Sequence, residues 1–129
     1  MATNDNANII IFEQTEDSPE IILDQEKFLL KISGPSFPED AFQTYQPVIR
    51  WINSIKNETM KLTCEFDFSI LSSASNKLMF EVLIKLEEMY QEGKDIIIFW
   101  YHDDFDEDMQ EEGESFAQTV HVPFKFIPK

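Results

Sequence analysis

Residues 59–101 read TMKLTCEFDFSILSSASNKLMFEVLIKLEEMYQEGKDIIIFWY, and the apolar period changes twice within them. From Thr59 to Phe68 the chain alternates: Met60, Leu62, Cys64, Phe66 and Phe68 share one side, with Lys61, Thr63, Glu65 and Asp67 on the other. Such alternation predicts a strand with one face in the core. Beyond the serines, Leu78, Met79, Val82, Leu83, Leu86, Met89 and Tyr90 recur at helical spacing, which predicts a helix over 76–91. Gly93 supplies a left-handed stop. The apolar run DIIIFWY (95–101) is too short for a helix and predicts a central strand buried on both faces. Strand, helix, strand at this spacing is a parallel crossover, expected to be right-handed.

Working outward, residues 1–8 are polar and predict a flexible end. NIIIF (8–12) reads as a strand, and EIILD (20–24) and KFLLKIS (27–33) as an antiparallel pair around Gln25 and Glu26. Gly34 and Pro35 are expected to stop that run, and Pro38, Glu39 and Asp40 have a helix-start composition. Phe42, Tyr45, Val48, Ile49, Trp51, Ile52 and Ile55 then follow helical spacing, interrupted by Pro47. A proline there predicts a break or kink, with the main helix beginning near Pro47. Downstream, HDDFDED precedes a short amphipathic helix carrying Met109, Gly113, Phe116 and Val120 on one side, and VPFKFI closes the chain. The sum is a single α/β domain over 9–129, a mixed sheet with helices mainly on one face.

A chain of 129 residues with 43% apolar residues and twelve Phe can build one core and is not a disordered polymer. Its net charge of −15 repels phosphate backbones and anionic lipid, so nucleic-acid and membrane partners are disfavoured and a basic protein partner favoured. The single Cys64 excludes an intramolecular disulfide and reads as a packing residue of a reducing compartment. No long apolar span or signal-like start is present, which predicts a cytoplasmic protein.

The residues offer little for catalysis. With only Gly34, Gly93 and Gly113, no glycine-rich phosphate loop can form, and His102 and His121 lack companions at metal-site spacing. Ser73, His102 and Asp104 have the residue types of a hydrolytic triad, but no nucleophile elbow surrounds the serine. The acidic stretch 103–114 contains Asp103, Asp104, Asp106, Glu107, Glu111 and Glu114. Counted from Asp104, a calcium loop would need glycine and glutamate where Met109 and Ser115 stand. Two readings stay open for this stretch: a solvated face at a helix start, or a docking patch for a basic partner.

Ser72, Ser73 and Ser75 crowd the loop-to-helix corner. Ser73 or a neighbour as N-cap is worth about 1 kcal/mol, yet one cap needs one serine. The same corner suits a phosphate, because free N–H groups and the positive dipole end face it, with Lys77 within a turn. Phosphorylation would add a charge of about −1.5 to −2 at an exposed corner and could abolish docking.

Three ordered motifs, spanning about Ile9 to Ile127, resemble a known family. ISGPSFPED (32–40) is similar to the G-x-S-x-P-E-(N/D) segment of the SiaC family of bacterial regulatory phosphoproteins, FDFSILSSASNK (66–77) to its strand and serine-rich loop, and IIIFWYHDDFDEDMQEEGESFAQTVHVPF (96–124) to its acidic ending. The resemblance implies a fold like the anti-sigma-factor antagonists of the STAS type, and a non-enzymatic partner-switching role without a cofactor. It further implies a serine/threonine kinase, a metal-dependent phosphatase and an output partner bound by the unphosphorylated form, in the type system a diguanylate cyclase. Carried across, the family's Asn falls on Ser72, its phospho-threonine on Ser73 and its Lys on Lys77, while the following Ser is Ala74. Serine still accepts phosphate, so Ser73 is the expected acceptor, with Ser72 and Ser75 as alternatives and Lys77 orienting the group. The competing expectation is a constitutive binding adaptor of the same fold whose serines only cap the helix.

Overall fold

The computed structural model describes residues 2–6 and 8–129, with the strand alone for 2–6. Among the described residues seven strands form one sheet in chain order: β1 (Ala2–Asn6), β2 (Ile9–Phe12), β3 (Glu20–Asp24), β4 (Leu29–Ser36), β5 (Leu62–Leu71), β6 (Ile96–His102) and β7 (Phe124–Pro128). Pairing is antiparallel from β1 to β4 and parallel from β4 to β7. Helices α1 (Ala41–Ile55), α2 (Ser73–Gln91) and α3 (Glu107–Ala117) make the three parallel crossovers. The mixed α/β order read from the sequence is therefore the observed one. Residues 2–6 pair irregularly with β2, while Met1 and Ala7 of the expected flexible end lie outside the described residues. An edge strand needs only backbone partners, so a polar sequence can join it.

Three crossovers of one hand that step the same way across a sheet place all their helices on one side. One core cluster accordingly joins Leu30, Ile32, Phe66 and Trp100 to Val48, Met79, Leu83 and Phe116. This corrects the reading of β6. Ile96, Ile98, Trp100 and His102 are buried, but Ile97, Phe99 and Tyr101 are only half-buried on the uncovered side. The β5 face is as its alternation predicts, except that the strand begins at Leu62 and leaves Met60 half exposed. Burial pushes the Cys64 thiol up, which leaves it a packing group.

Two prolines behave differently from expectation. β4 runs through Pro35 to Ser36, with a register shift between Gly34 and Pro35. Its pairing with β3 ends at Ser33, so beyond that point Pro35 owes no hydrogen bond on that side. Gly34 takes φ +105°, and a Cβ there would come within 2.6 Å of the Gln14 side chain. α1 begins at Ala41, not at Pro47, because Asp40 caps it by accepting the Gln43 N–H at 3.1 Å. Its buried stripe of Ala41, Tyr45, Val48, Trp51, Ile52 and Ile55 runs past Pro47, and that burial carries the helix through the lost hydrogen bond.

α2 ends as Gly93 predicts. At φ +95° its N–H reaches the Tyr90 carbonyl (3.0 Å), and that of Lys94 reaches Met89 (3.1 Å), a Schellman stop. Near this end Glu87 fastens α2 to the approach of β7. Its Oε1 accepts the His121 and Val122 N–H groups at 2.8 and 3.2 Å, and its Oε2 lies 2.8 Å from Gln91 Nε2 and from His121 Nδ1. Desolvation raises its carboxyl, but these four bonds outweigh it and bring the pKa down to about 2 from 4.5. A depressed carboxylate stabilises the fold above its unfolded pKa, and the gain is lost as pH falls through the folded one. Glu87→Gln is therefore expected to melt below the parent at pH 7, the gap closing between about pH 4.5 and 2. A gap that stays constant in calorimetric melts over that range would refute this.

Candidate functional site

The parallel strands β4, β5 and β6 all end at one edge of the sheet, and the first turns of α1, α2 and α3 begin there. The serine cluster opens α2. Helix α2 starts three residues earlier than the predicted 76–91, at Ser73, and Ser72 is the N-cap, its Oγ accepting the Ser75 N–H at 3.1 Å. The first intrahelical hydrogen bond runs from the Asn76 N–H to the Ser72 carbonyl (2.8 Å), so the N–H groups of Ser73 and Ala74 have no intrahelical acceptor.

The three serines thus have three different environments. Ser72 is half-buried and capping, Ser73 is exposed at the first helical position, and Ser75 is fully buried. Lys77 is exposed one turn beyond Ser73, on the same helix face. Under the turn lies a trio of buried hydroxyls. Ser36 Oγ donates to Ser75 Oγ at 2.8 Å and lies 2.6 Å from Tyr45 OH, so the tyrosine proton completes the chain. Burial pushes the Tyr45 hydroxyl up to about 12, with Ser36 and Ser75 opposing, so it remains a donor. The Ser36 carbonyl also takes the Ser72 N–H at 2.9 Å. One residue of β4 therefore holds the corner from below by both backbone and side chain. Neither Ser36 nor Tyr45 was singled out from the sequence. The available signal was the serine inside GPSFPED together with a tyrosine in an otherwise apolar stripe.

The acidic stretch lies on the neighbouring crossover. Asp106 caps α3, accepting the Met109 N–H at 3.0 Å, and Glu107 and Asp108 occupy the first turn, where the dipole favours them. Asp103 lies 3.9 Å from Lys129 Nζ, which pairs more closely with Asp67 at 2.7 Å. Asp104, Glu107, Glu111 and Glu114 are exposed, and beside them Phe105 is 93% exposed. This aromatic was missed in a segment read only for its charge. Among the described residues no three His, Cys, Asp or Glu side chains gather as a metal site would need. His102 is buried, its Nδ1 3.1 Å from the Asp103 carbonyl oxygen, whereas Ser73 faces solvent. Among the described residues no hydrogen bond joins the Ser73 hydroxyl to His102.

A mixed sheet covered by helices on one side, with three parallel crossovers, has the architecture of a STAS-like domain. Residues 12–129 match the SiaC family of regulatory phosphoproteins, and the chain belongs to that family. It is 28% identical over 111 residues to an uncharacterised protein of Pseudomonas aeruginosa strain UCBPP-PA14, spanning 85% of this chain and 88% of the other. Apo-SiaC of P. aeruginosa superposes with a TM-score of 0.87 at 25% identity, over 93% of this chain and 98% of that one. SiaC in the crystal structure of the diguanylate cyclase SiaD with its activator SiaC gives 0.88 at 26% identity, over 92% and 98%. Among the described residues no helix is long and apolar enough to cross a membrane.

Proposed function

We propose that the chain is a non-enzymatic cytoplasmic signalling protein that changes partners according to phosphate on Ser73. Its unphosphorylated form binds and regulates an output protein, a diguanylate cyclase by analogy with the SiaC–SiaD pair. A serine/threonine kinase writes the mark and a metal-dependent phosphatase removes it. The observation that carries this reading is the division of labour among the serines. Ser72 meets the helix's need for a cap, which leaves the exposed Ser73 hydroxyl without that structural duty. Phosphate there would meet the free first-turn N–H groups and Lys77. On Ser72 it would disrupt the cap. On Ser75 it would require the first turn to open and the hydroxyl trio to break. Of the acidic residues, Asp103, Asp104, Glu107, Glu111 and Glu114 support docking of a basic surface around Phe105, whereas Asp106 is already engaged as a cap. Peptide mapping of protein recovered from its own cells should find phosphate on Ser73. Its absence under all growth conditions, with normal signalling by Ser73→Ala, would sink the proposal.

A further inference from the structure

A cavity lies away from the serines, between the N-terminal part of α1 and the β2–β3 connection. It is a groove of about 740 Å³ with walls that include Phe12, Pro19, Phe42 and Pro47. A second cavity of about 520 Å³ continues it, sharing Ser18, Asp40, Gln43 and Thr44. The groove is therefore elongated and follows the helix from Asp40 to Arg50. Ten residues of helix cover about 15 Å, the length of four or five residues of extended chain.

Its chemistry is one-sided. Four carboxylates border it, Glu13, Asp17, Glu39 and Asp40, of which Asp40 and Asp17 each have one oxygen engaged, against one cation, Arg50 at the far end. Two polar groups of its lining residues depart from regular pairing. Gln46 Oε1 is, among the described residues, the one buried side-chain polar atom without a hydrogen-bond partner. Pro47 has no N–H to give the Gln43 carbonyl, and both residues line the groove. An occupant that supplies a donor to the Gln43 carbonyl would replace the hydrogen bond that Pro47 removes. Phe42, 61% exposed on the rim, offers an apolar anchor that the protein's own core does not use.

We infer that this groove binds an extended basic segment of a partner protein, with a Lys or Arg at the Asp17–Glu39–Asp40 end and an apolar side chain against Phe42. The match is mainly one of charge: a cationic side chain meets the carboxylates, and a peptide N–H can replace the one that Pro47 withholds from the Gln43 carbonyl. This goes beyond the phosphate switch and does not depend on it.

Random peptides displayed on phage and selected on the full chain test the inference. Selected sequences are expected to pair a basic residue with a nearby apolar one. A synthetic peptide of the selected sequence should bind Phe42→Asp and Glu13→Lys at least about tenfold more weakly. Both side chains are exposed, so the melting temperatures of these variants should match the parent's. Ser73→Asp should leave peptide affinity unchanged, which separates this inference from the switch. Selection without basic residues, equal affinity for parent and both groove variants, or a dimer in sedimentation that Phe42→Asp dissociates would each overturn it, the last in favour of a second copy of the chain.

Discussion

Installing phosphoserine at position 73 during translation is expected to weaken binding of the chain's output partner by about 100-fold or more, roughly 2.7 kcal/mol. The size follows from where the group would stand. Ser73 opens α2 at an exposed corner, with Ala74 beside it and Phe37 and Ile70 exposed on the adjacent ends of β4 and β5. A partner covering that corner would desolvate any group on Ser73, and a dianion leaving water without a designed receptor is heavily penalised. The phosphate would also engage the free N–H groups and Lys77, so its addition should not unfold the helix. Titration calorimetry with and without the mark, against a diguanylate cyclase from the same cell, is the direct measurement. The constitutive-adaptor alternative expects affinity to stay within a few-fold, and that outcome would remove the switch.

The second large effect concerns stability. Gly113→Ala is expected to destabilise the fold by about 2–3 kcal/mol, although alanine is the better helix former by about 1 kcal/mol. A Cβ at Gly113 would lie 2.5 Å from Cδ1 and Nε1 of Trp100. That ring has nowhere to retreat. Its Nε1–H donates to the Met109 carbonyl at 3.0 Å, and Phe66 and Phe116 meet it edge-on with centroids 6.3 and 5.6 Å away. A melting temperature lowered by about 10 °C is the expected reading. Adding Trp100→Phe should then cost less in this variant than in the parent, because the two side chains compete for one space. An unchanged or raised melting temperature for Gly113→Ala would show that α3 can shift away from the sheet.

Most of the fold was legible where period alone decides. The change from a period of two at Leu62–Phe68 to one of 3.6 at Leu78–Tyr90 and back to a compact apolar run fixed the crossover. The Gly93 stop also fell where a left-handed residue was needed. What stayed hidden depended on neighbours that period cannot name. Pro35 and Pro47 read as breaks, but a strand paired on one side and a helix with a continuous buried stripe both tolerate a missing N–H. Ile97, Phe99 and Tyr101 look like residues of a doubly covered strand, and only the common direction of the crossovers leaves them on an open face.

The site shows the same division. A cluster of serines before a helix marks the corner at which α2 begins. Which serine caps, which faces water and which is buried is set by helical phase and by Ser36 below, and no local sequence rule assigns those roles. The acidic stretch likewise mixed a cap, Asp106, with exposed carboxylates that composition alone cannot tell apart.

The hydroxyl trio under α2 has a consequence for how such a site could drift. Successive residues of a helix point about 100° apart, and Ser75 is pinned inward through Ser36 and Tyr45. The angular setting of the whole first turn is thereby locked. A serine and a threonine can exchange at position 73 without turning the hydroxyl away from its outlook, but a hydroxyl moved to position 74 would face another direction entirely. An enzyme that recognises this corner would be reading a compass bearing, and the anchor that fixes it lies out of reach beneath.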